Sequence, residues 1–104
     1  MPKLIVLYPP PTDAAVFERR YSQEHAPMVH EKISGMTKFV SANVTGSPFG
    51  APAFQRVAEL YFDSMESLQA AMASPGGQAT VGHAMEISTG GAPVVLIAED
   101  DKAV

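Results

Sequence analysis

The chain has no cysteine and no tryptophan among its 104 residues, and it has few basic residues. The absence of cysteine excludes disulfide bonds, thiolate metal ligands and a cysteine nucleophile. Seven Lys and Arg residues are scattered along the chain against eleven Asp and Glu, which gives a formal net charge of −4. Because a nucleic-acid surface needs clustered basic residues, we expect no nucleic-acid partner.

Long hydrophobic runs are also missing. A bilayer span needs roughly 20 apolar residues, and no stretch of this chain approaches that length. The N-terminal apolar run, residues 4–8, is too short for an export signal and is followed by three prolines. We therefore expect a cytoplasmic protein with no membrane segment. A content of 46% hydrophobic and 17% charged residues is typical of one folded domain, which we expect to span residues 1–104.

The hydrophobic patterns predict the element order β-α-β-β-α-β. Strands are predicted at residues 3–8, 36–46, 55–62 and 93–99, the second near an edge of the sheet. The first helix is expected to end or kink at Ala26, because Pro27 follows it. The second, residues 63–72, begins with Asp63 as a cap and is broken by SPGG, with a weaker helical turn at 78–87. This order predicts a ferredoxin-like α+β sandwich, with two helices on one face of a four-stranded antiparallel sheet.

The first and last predicted strands are apolar on both faces. In an isolated two-layer sandwich, the sheet face away from the helices would meet water and carry polar residues. Here both faces call for cover, and a second copy of the chain is the simplest cover. The sequence therefore predicts a homodimer that forms through the sheet face. The apolar residues on the two strands are Leu4, Ile5, Val6, Leu7, Tyr8, Val94, Val95, Leu96 and Ile97.

A histidine lies on an apolar face of the first predicted helix. Tyr21 and His25 are four residues apart and share that face, and Phe17 and Met28 extend the same stripe. A histidine with an ordinary pKa of about 6.5 can give or take a proton near neutral pH. The negative end of the helix would raise the pKa of His25, whereas burial would lower it. The alternative to catalysis is packing in the core, with a hydrogen bond to a backbone carbonyl.

Glu59 is the second candidate for acid/base chemistry. It lies between Val57 and Tyr61 on one face of the third predicted strand, where a buried carboxylate needs a partner. That partner is His25 or Tyr21 if this face meets the first helix. If the face points the other way, the partner is a basic residue across a dimer. Exposure to solvent is the third alternative.

Three stretches of the chain resemble the EthD family. They are YPPP after the first strand, F..RYSQEHAPM in the first helix, and AELYFDSMESLQAAM across the third strand and second helix. The most specific run is aromatic-x-x-x-His-x-Pro, formed here by Tyr21, His25 and Pro27. The resemblance spans nearly the whole chain. It implies a dimeric α+β barrel, in which two ferredoxin-like sheets pack together, and a link to ethyl tert-butyl ether degradation.

The resemblance and the residues together lead us to expect cofactor-independent acid/base catalysis, of isomerase, lyase or monooxygenase type. The substrate would be a small apolar organic molecule in a degradative or secondary-metabolic pathway. His25 would shuttle the proton, and Glu59 and Tyr21 would orient His25 or the ligand. The expected ligand contacts are Phe17, Met28 and Tyr61. We expect no metal site, because no two histidines have a suitable spacing.

Two alternatives to catalysis of this kind stay open. One is a non-catalytic binding protein, or an accessory protein whose partner is an oxidase. The other is a haem-handling enzyme, since haem needs only one axial histidine.

Overall fold

The computed structural model describes residues 1–101, which form four strands and a layer of helices. The strands are β1 (Pro2–Tyr8), β2 (Met36–Asn43), β3 (Arg56–Phe62) and β4 (Val94–Glu99). The helices are α1 (Ala14–Arg20), α2 (Ala26–Lys32), α3 (Met65–Ala73) and α4 (Pro75–Ile87), and a π-helical turn (Tyr21–His25) joins α1 to α2. The sheet is antiparallel with the order β2-β3-β1-β4. This is the predicted ferredoxin-like α+β fold.

The core lies between the helices and one face of the sheet. Side chains alternate across a strand, and β1 and β3 are paired so that Leu4 faces Leu60 and Val6 faces Ala58. The helices close this face with side chains that are almost completely buried. The largest fully buried side chains are Tyr8, Phe17, Phe62, Leu68 and Ile87.

The first helical segment does not end at Ala26, so that part of the prediction was wrong, although the regular α-helix is interrupted by the π-helical turn just before Ala26. Ala26 has helical angles (φ −60, ψ −44), and its N–H donates to the carbonyl of Tyr21, five residues earlier. Pro27 then lies in the first turn of α2, where a missing N–H leaves no hydrogen bond unmade. The π-helical turn thus lets the helix continue from α1 into α2 in spite of Pro27. His25 therefore lies in the middle of a helical segment.

The second helical region starts and continues differently from the prediction. Ser64, not Asp63, caps α3, because its Oγ accepts a hydrogen bond from the Ser67 N–H at 3.1 Å. The SPGG stretch does not interrupt the helices for long. Ser74 caps α4 by accepting from the Gly77 N–H at 3.0 Å, and Pro75 is the first residue of this 13-residue helix.

The opposite face of the sheet is covered by no part of residues 1–101. It carries alternate residues of β1, β3 and β4, where Ile5 pairs with Leu96 and Leu7 pairs with Val57. β4 is exposed on both faces: Val94 and Leu96 on this face are 40% and 48% exposed, and Val95 and Ile97 on the helix face are 45% and 53% exposed. No helix in the described part of the chain is long and apolar enough to cross a membrane.

Candidate functional site

A cavity of about 170 Å³ lies between the helix layer and the sheet. Its volume is close to that of an engineered apolar cavity of about 150 Å³ that binds benzene. Polar side chains reach it only from Tyr8, Tyr21, His25 and Thr80 among the described lining residues. The apolar lining is formed by Leu4, Val6, Val29, Ile33, Phe39, Ala58, Leu60, Met72, Val81, Ala84, Met85, Pro93 and Val95.

His25 is held in the cavity wall with only 4% of its surface exposed. Its Nε2 lies 3.2 Å from the Tyr8 hydroxyl, and its Nδ1 lies 2.9 Å from Nδ1 of His83. Burial, with a smaller contribution from His83, lowers the pKa of His25 from 6.5 to about 4. The helical segment continues through His25 into α2, so the helix end expected from the sequence does not raise this pKa. Burial decides the direction of the shift. The imidazole is neutral at pH 7.

Two tyrosines form the polar part of the wall beside His25. Tyr8 is 1% exposed, and burial raises its pKa well above the ordinary value of a phenol. Tyr21 forms a hydrogen bond with Ser41 at 2.7 Å, and the guanidinium of Arg56 lies 4.6 Å from its ring centre. Burial also raises the pKa of Tyr21. Both hydroxyls therefore stay protonated at neutral pH and can donate hydrogen bonds.

The structure brings His25 and Tyr21 together at the cavity, but it places Glu59 elsewhere. Glu59 pairs with Ile5 and Val40 on the face of the sheet opposite the helices. Its carboxylate forms an ion pair with Lys3 at 3.0 Å. The expectation that Glu59 orients His25 was therefore wrong. For a Glu59 that points away from the helices, the sequence predicted a basic partner across a dimer. The basic partner is Lys3, in the same chain.

The three expected ligand contacts also lie outside the cavity lining. Tyr61 is on the same outer face as Glu59, with Lys3 Nζ 5.1 Å from its ring centre. Phe17 is 2% exposed and lies behind the wall, 5.2 Å from the Tyr8 ring. Met28 is half-buried on α2. The prediction that a ligand contacts Phe17, Met28 and Tyr61 is therefore wrong for this cavity.

Sequence reasoning missed two residues that contact His25. Tyr8 was counted only among the apolar residues of the first strand, because a strand that is apolar on both faces does not show which face meets the helices. His83 was missed because α4 contains glycines and was predicted only as a weak turn. Its ring stacks on His25 with a centroid distance of 5.2 Å.

The site does not fit haem. Both ring nitrogens of His25 already have hydrogen-bonding partners, Tyr8 and His83. A cavity of about 170 Å³ is the size of a single ring, far smaller than a porphyrin. Residues 1–101 contain no group of three or more His, Asp or Glu that could hold a metal ion.

Comparison with known proteins finds a matching family and relatives that cover almost the whole chain. Residues 9–86 match the EthD domain family. A crystal structure of an EthD family protein from Bacillus halodurans is 37% identical, covers 97% of this chain and 99% of its own, and has a TM-score of 0.89. An uncharacterized 11.0 kDa protein of the thcB-thcC intergenic region in Rhodococcus erythropolis is 29% identical, over 100% of this chain and 98% of its own.

Structures with lower sequence identity share the fold alone. A dimeric ferredoxin-like protein from Jannaschia is 15% identical, with a TM-score of 0.72 over 95% of this chain and 98% of its own. SnoaB, a cofactor-independent oxygenase from Streptomyces nogalater, is 13% identical, with a TM-score of 0.68 over 99% of this chain and 95% of its own.

Proposed function

The chain belongs to the EthD family, and from that premise we propose that it carries out cofactor-independent acid/base chemistry on a small apolar organic molecule. The observation that carries the proposal is the Tyr8–His25 pair, a hydrogen-bonded phenol and imidazole in the wall of an otherwise apolar cavity. A titratable side chain at such a place is a candidate for proton transfer. The setting would be a degradative or secondary-metabolic pathway.

The Tyr8–His25 pair would move a proton at one atom of the ligand. The imidazole of His25 is neutral at pH 7 and can therefore accept a proton, because burial lowers its pKa to about 4. Tyr8 is in contact with the cavity and with Nε2 of His25, so its hydroxyl can bind a polar atom of the ligand. Tyr21 would orient the ligand from the same wall. An isomerase, a lyase and a cofactor-independent monooxygenase all need this removal or return of a proton.

The fold supports two further parts of the proposal. SnoaB shows that this fold can support oxygenase chemistry without a cofactor, and the Jannaschia protein shows that it can form a dimer. We propose that this chain is a homodimer through the outer face of the sheet. That arrangement leaves the cavity on the helix side available to ligand.

Ligand binding is tested with benzene and phenol as probes, followed through the ¹⁵N signals of the three histidines. Both probes match the cavity in size, and phenol adds one polar group. We expect saturable shifts of the His25 signals and none of the His30 signals, because His30 is exposed. His25→Gln should retain benzene and lose affinity for phenol. If neither probe moves the His25 signals, the cavity is not a binding site.

Proton transfer is tested by hydrogen–deuterium exchange at the α-carbon of a small ketone, cyclohexanone, in D₂O. Exchange above the buffer rate is expected for the wild type and for the His30→Gln control, but not for His25→Gln. If the probes bind and no exchange depends on His25, the protein acts as a binding or carrier protein.

A further inference from the structure

Four polar side chains form a continuous path from the cavity to the protein surface. Tyr8 reaches His25 Nε2 at 3.2 Å, and His25 Nδ1 reaches His83 Nδ1 at 2.9 Å. His83 Nε2 then reaches Oε1 of Glu24 at 3.1 Å. The path leads from groups that are 1% and 4% exposed to a carboxylate side chain that is 47% exposed.

The carboxylate at the end of this path sets the direction of every hydrogen bond in it. A carboxylate can only accept, so Nε2 of His83 carries a hydrogen and donates it to Glu24. In the neutral form of His83, on which the path depends, Nδ1 is bare and accepts from Nδ1–H of His25. Nε2 of His25 is bare in turn and accepts from the Tyr8 hydroxyl. The lone pairs of the Tyr8 oxygen are then free to accept a proton from a ligand in the cavity.

We propose that His83 and Glu24 are the proton path between the Tyr8–His25 pair and solvent. This inference rests on the proposed function, and it assigns to that site two residues from outside the cavity. Tyr8 receives a proton from the ligand as it passes its own to His25 Nε2. His25 passes its Nδ1 hydrogen to His83 Nδ1, and His83 passes its Nε2 hydrogen to Glu24, which releases it to water. One proton leaves the ligand, which keeps the electron pair, and one reaches solvent.

The environment of the path favours a concerted transfer. Burial raises the pKa of Tyr8 and lowers that of His25 to about 4, so neither a phenolate nor an imidazolium is stable in the wall at pH 7. In a concerted transfer no charge develops on Tyr8 or His25: the ligand becomes negative as Glu24 is neutralised, and Glu24 then releases the proton to water. Arg20 and His83 lower the pKa of Glu24, and Arg20 is itself shared with Glu86.

The path is tested without any ligand, by NMR of ¹⁵N-labelled protein. Long-range ¹H–¹⁵N spectra report which ring nitrogen of each histidine carries the hydrogen. We expect the Nδ1–H form for His25 and the Nε2–H form for His83. His83→Ala removes the acceptor of the His25 Nδ1–H and should move His25 to the Nε2–H form. Thermal melts confirm that the variants are folded.

The second measurement is the exchange of the His25 Nδ1 hydrogen with water. Glu24→Gln keeps an acceptor oxygen but cannot take up the proton, so it should leave both tautomers in place and slow the exchange about tenfold. Glu31→Gln, on the exposed end of α2, is the matched control and should change nothing. Unchanged exchange in Glu24→Gln, or an Nε2–H form of His25 in the wild type, overturns the path.

These outcomes are independent of the ligand tests. If Glu24-dependent exchange is found and neither benzene nor phenol binds, the path stands and the proposed function fails. If the probes bind and cyclohexanone exchanges through His25 in the Glu24→Gln variant at the wild-type rate, the function stands and the path is overturned.

Discussion

At the scale of single residues, burial of His25 links the stability of the fold to pH. The pKa of His25 is about 4 in the folded protein and near 6.5 in an unfolded chain. Between these values the unfolded chain binds more protons, so the free energy of unfolding falls as pH is lowered from 6.5 to 4. The loss attributable to His25 is at most about 3 kcal/mol, and it is absent above pH 6.5.

Urea unfolding of the wild type, His25→Gln and His30→Gln at steps from pH 7.5 to 4 measures this effect. Carboxylates titrate in all three proteins, so the quantity of interest is the difference between each variant and the wild type. That difference should change with pH for His25→Gln and stay constant for His30→Gln. A constant difference for both variants would mean that His25 keeps an ordinary pKa in the folded protein.

The candidate site could be predicted only in part, and the reason differs from residue to residue. The i, i+4 spacing was enough to place Tyr21 and His25 on one apolar face. The alternation along β3 correctly placed Glu59 on one face with Val57 and Tyr61. It did not show which of the two faces meets the helices. His83 contacts His25 across 58 positions of the chain, and a contact of that range leaves no local pattern.

At the scale of secondary structure, two of the three glycines of α4, Gly77 and Gly82, should respond in opposite ways to alanine. A Cβ at Gly77 would collide with the backbone carbonyl of Ala71, so Gly77→Ala should lower the free energy of unfolding by more than about 1 kcal/mol. A Cβ at Gly82 meets no described atom within 4 Å. Gly82→Ala should stabilise the helix by about 0.5–1 kcal/mol. Thermal and urea unfolding of the pair test this, and equal effects would contradict the close packing of α4 on α3.

The start of α3 provides a second test at this scale, between two adjacent residues. Ser64 accepts a hydrogen bond from the Ser67 N–H, at 3.1 Å. Ser64→Ala should therefore lower the free energy of unfolding by about 1 kcal/mol, whereas Asp63→Ala should change it by a few tenths at most. Urea unfolding of the two variants measures the difference. A larger loss from Asp63→Ala would restore the cap that the sequence suggested.

The elements themselves were largely predictable, and the exceptions have physical causes. The edge position of β2 followed from its lower apolar content, whereas the apolar sequence of β4 gave no sign that it is the other edge strand. Pro27 was misleading, since the rule that it ends a helix assumes an unbroken α-helix before it, and here a π-helical turn precedes it. Glycine and proline in α4 predicted a weak helix, whereas close packing and the Ser74 cap stabilise it.

At the scale of the whole molecule, the outer face of the sheet combines exposed apolar residues with charges that are already paired. Lys3 contacts Glu59 at 3.0 Å and Asp100 at 3.1 Å, within one chain. Covering this face would bury few unpaired charges, and burying an unpaired charge is strongly unfavourable. Leu96, 48% exposed, lies beside Ile5 in the sheet, so a second copy would remove apolar surface from water along β4.

We therefore expect a dimer in solution, and Leu96→Lys should convert it to a folded monomer. A lysine there would place an unpaired charge in the proposed interface, whose loss of affinity we expect to be about 100-fold or more. Val16→Lys is the matched control, because Val16 is 37% exposed on α1, on the far side of the helix layer. Sedimentation equilibrium at several concentrations measures the mass, and circular dichroism confirms the fold. A wild-type monomer, or a Leu96→Lys dimer as tight as the wild type, would mean that the sheet face is not the interface.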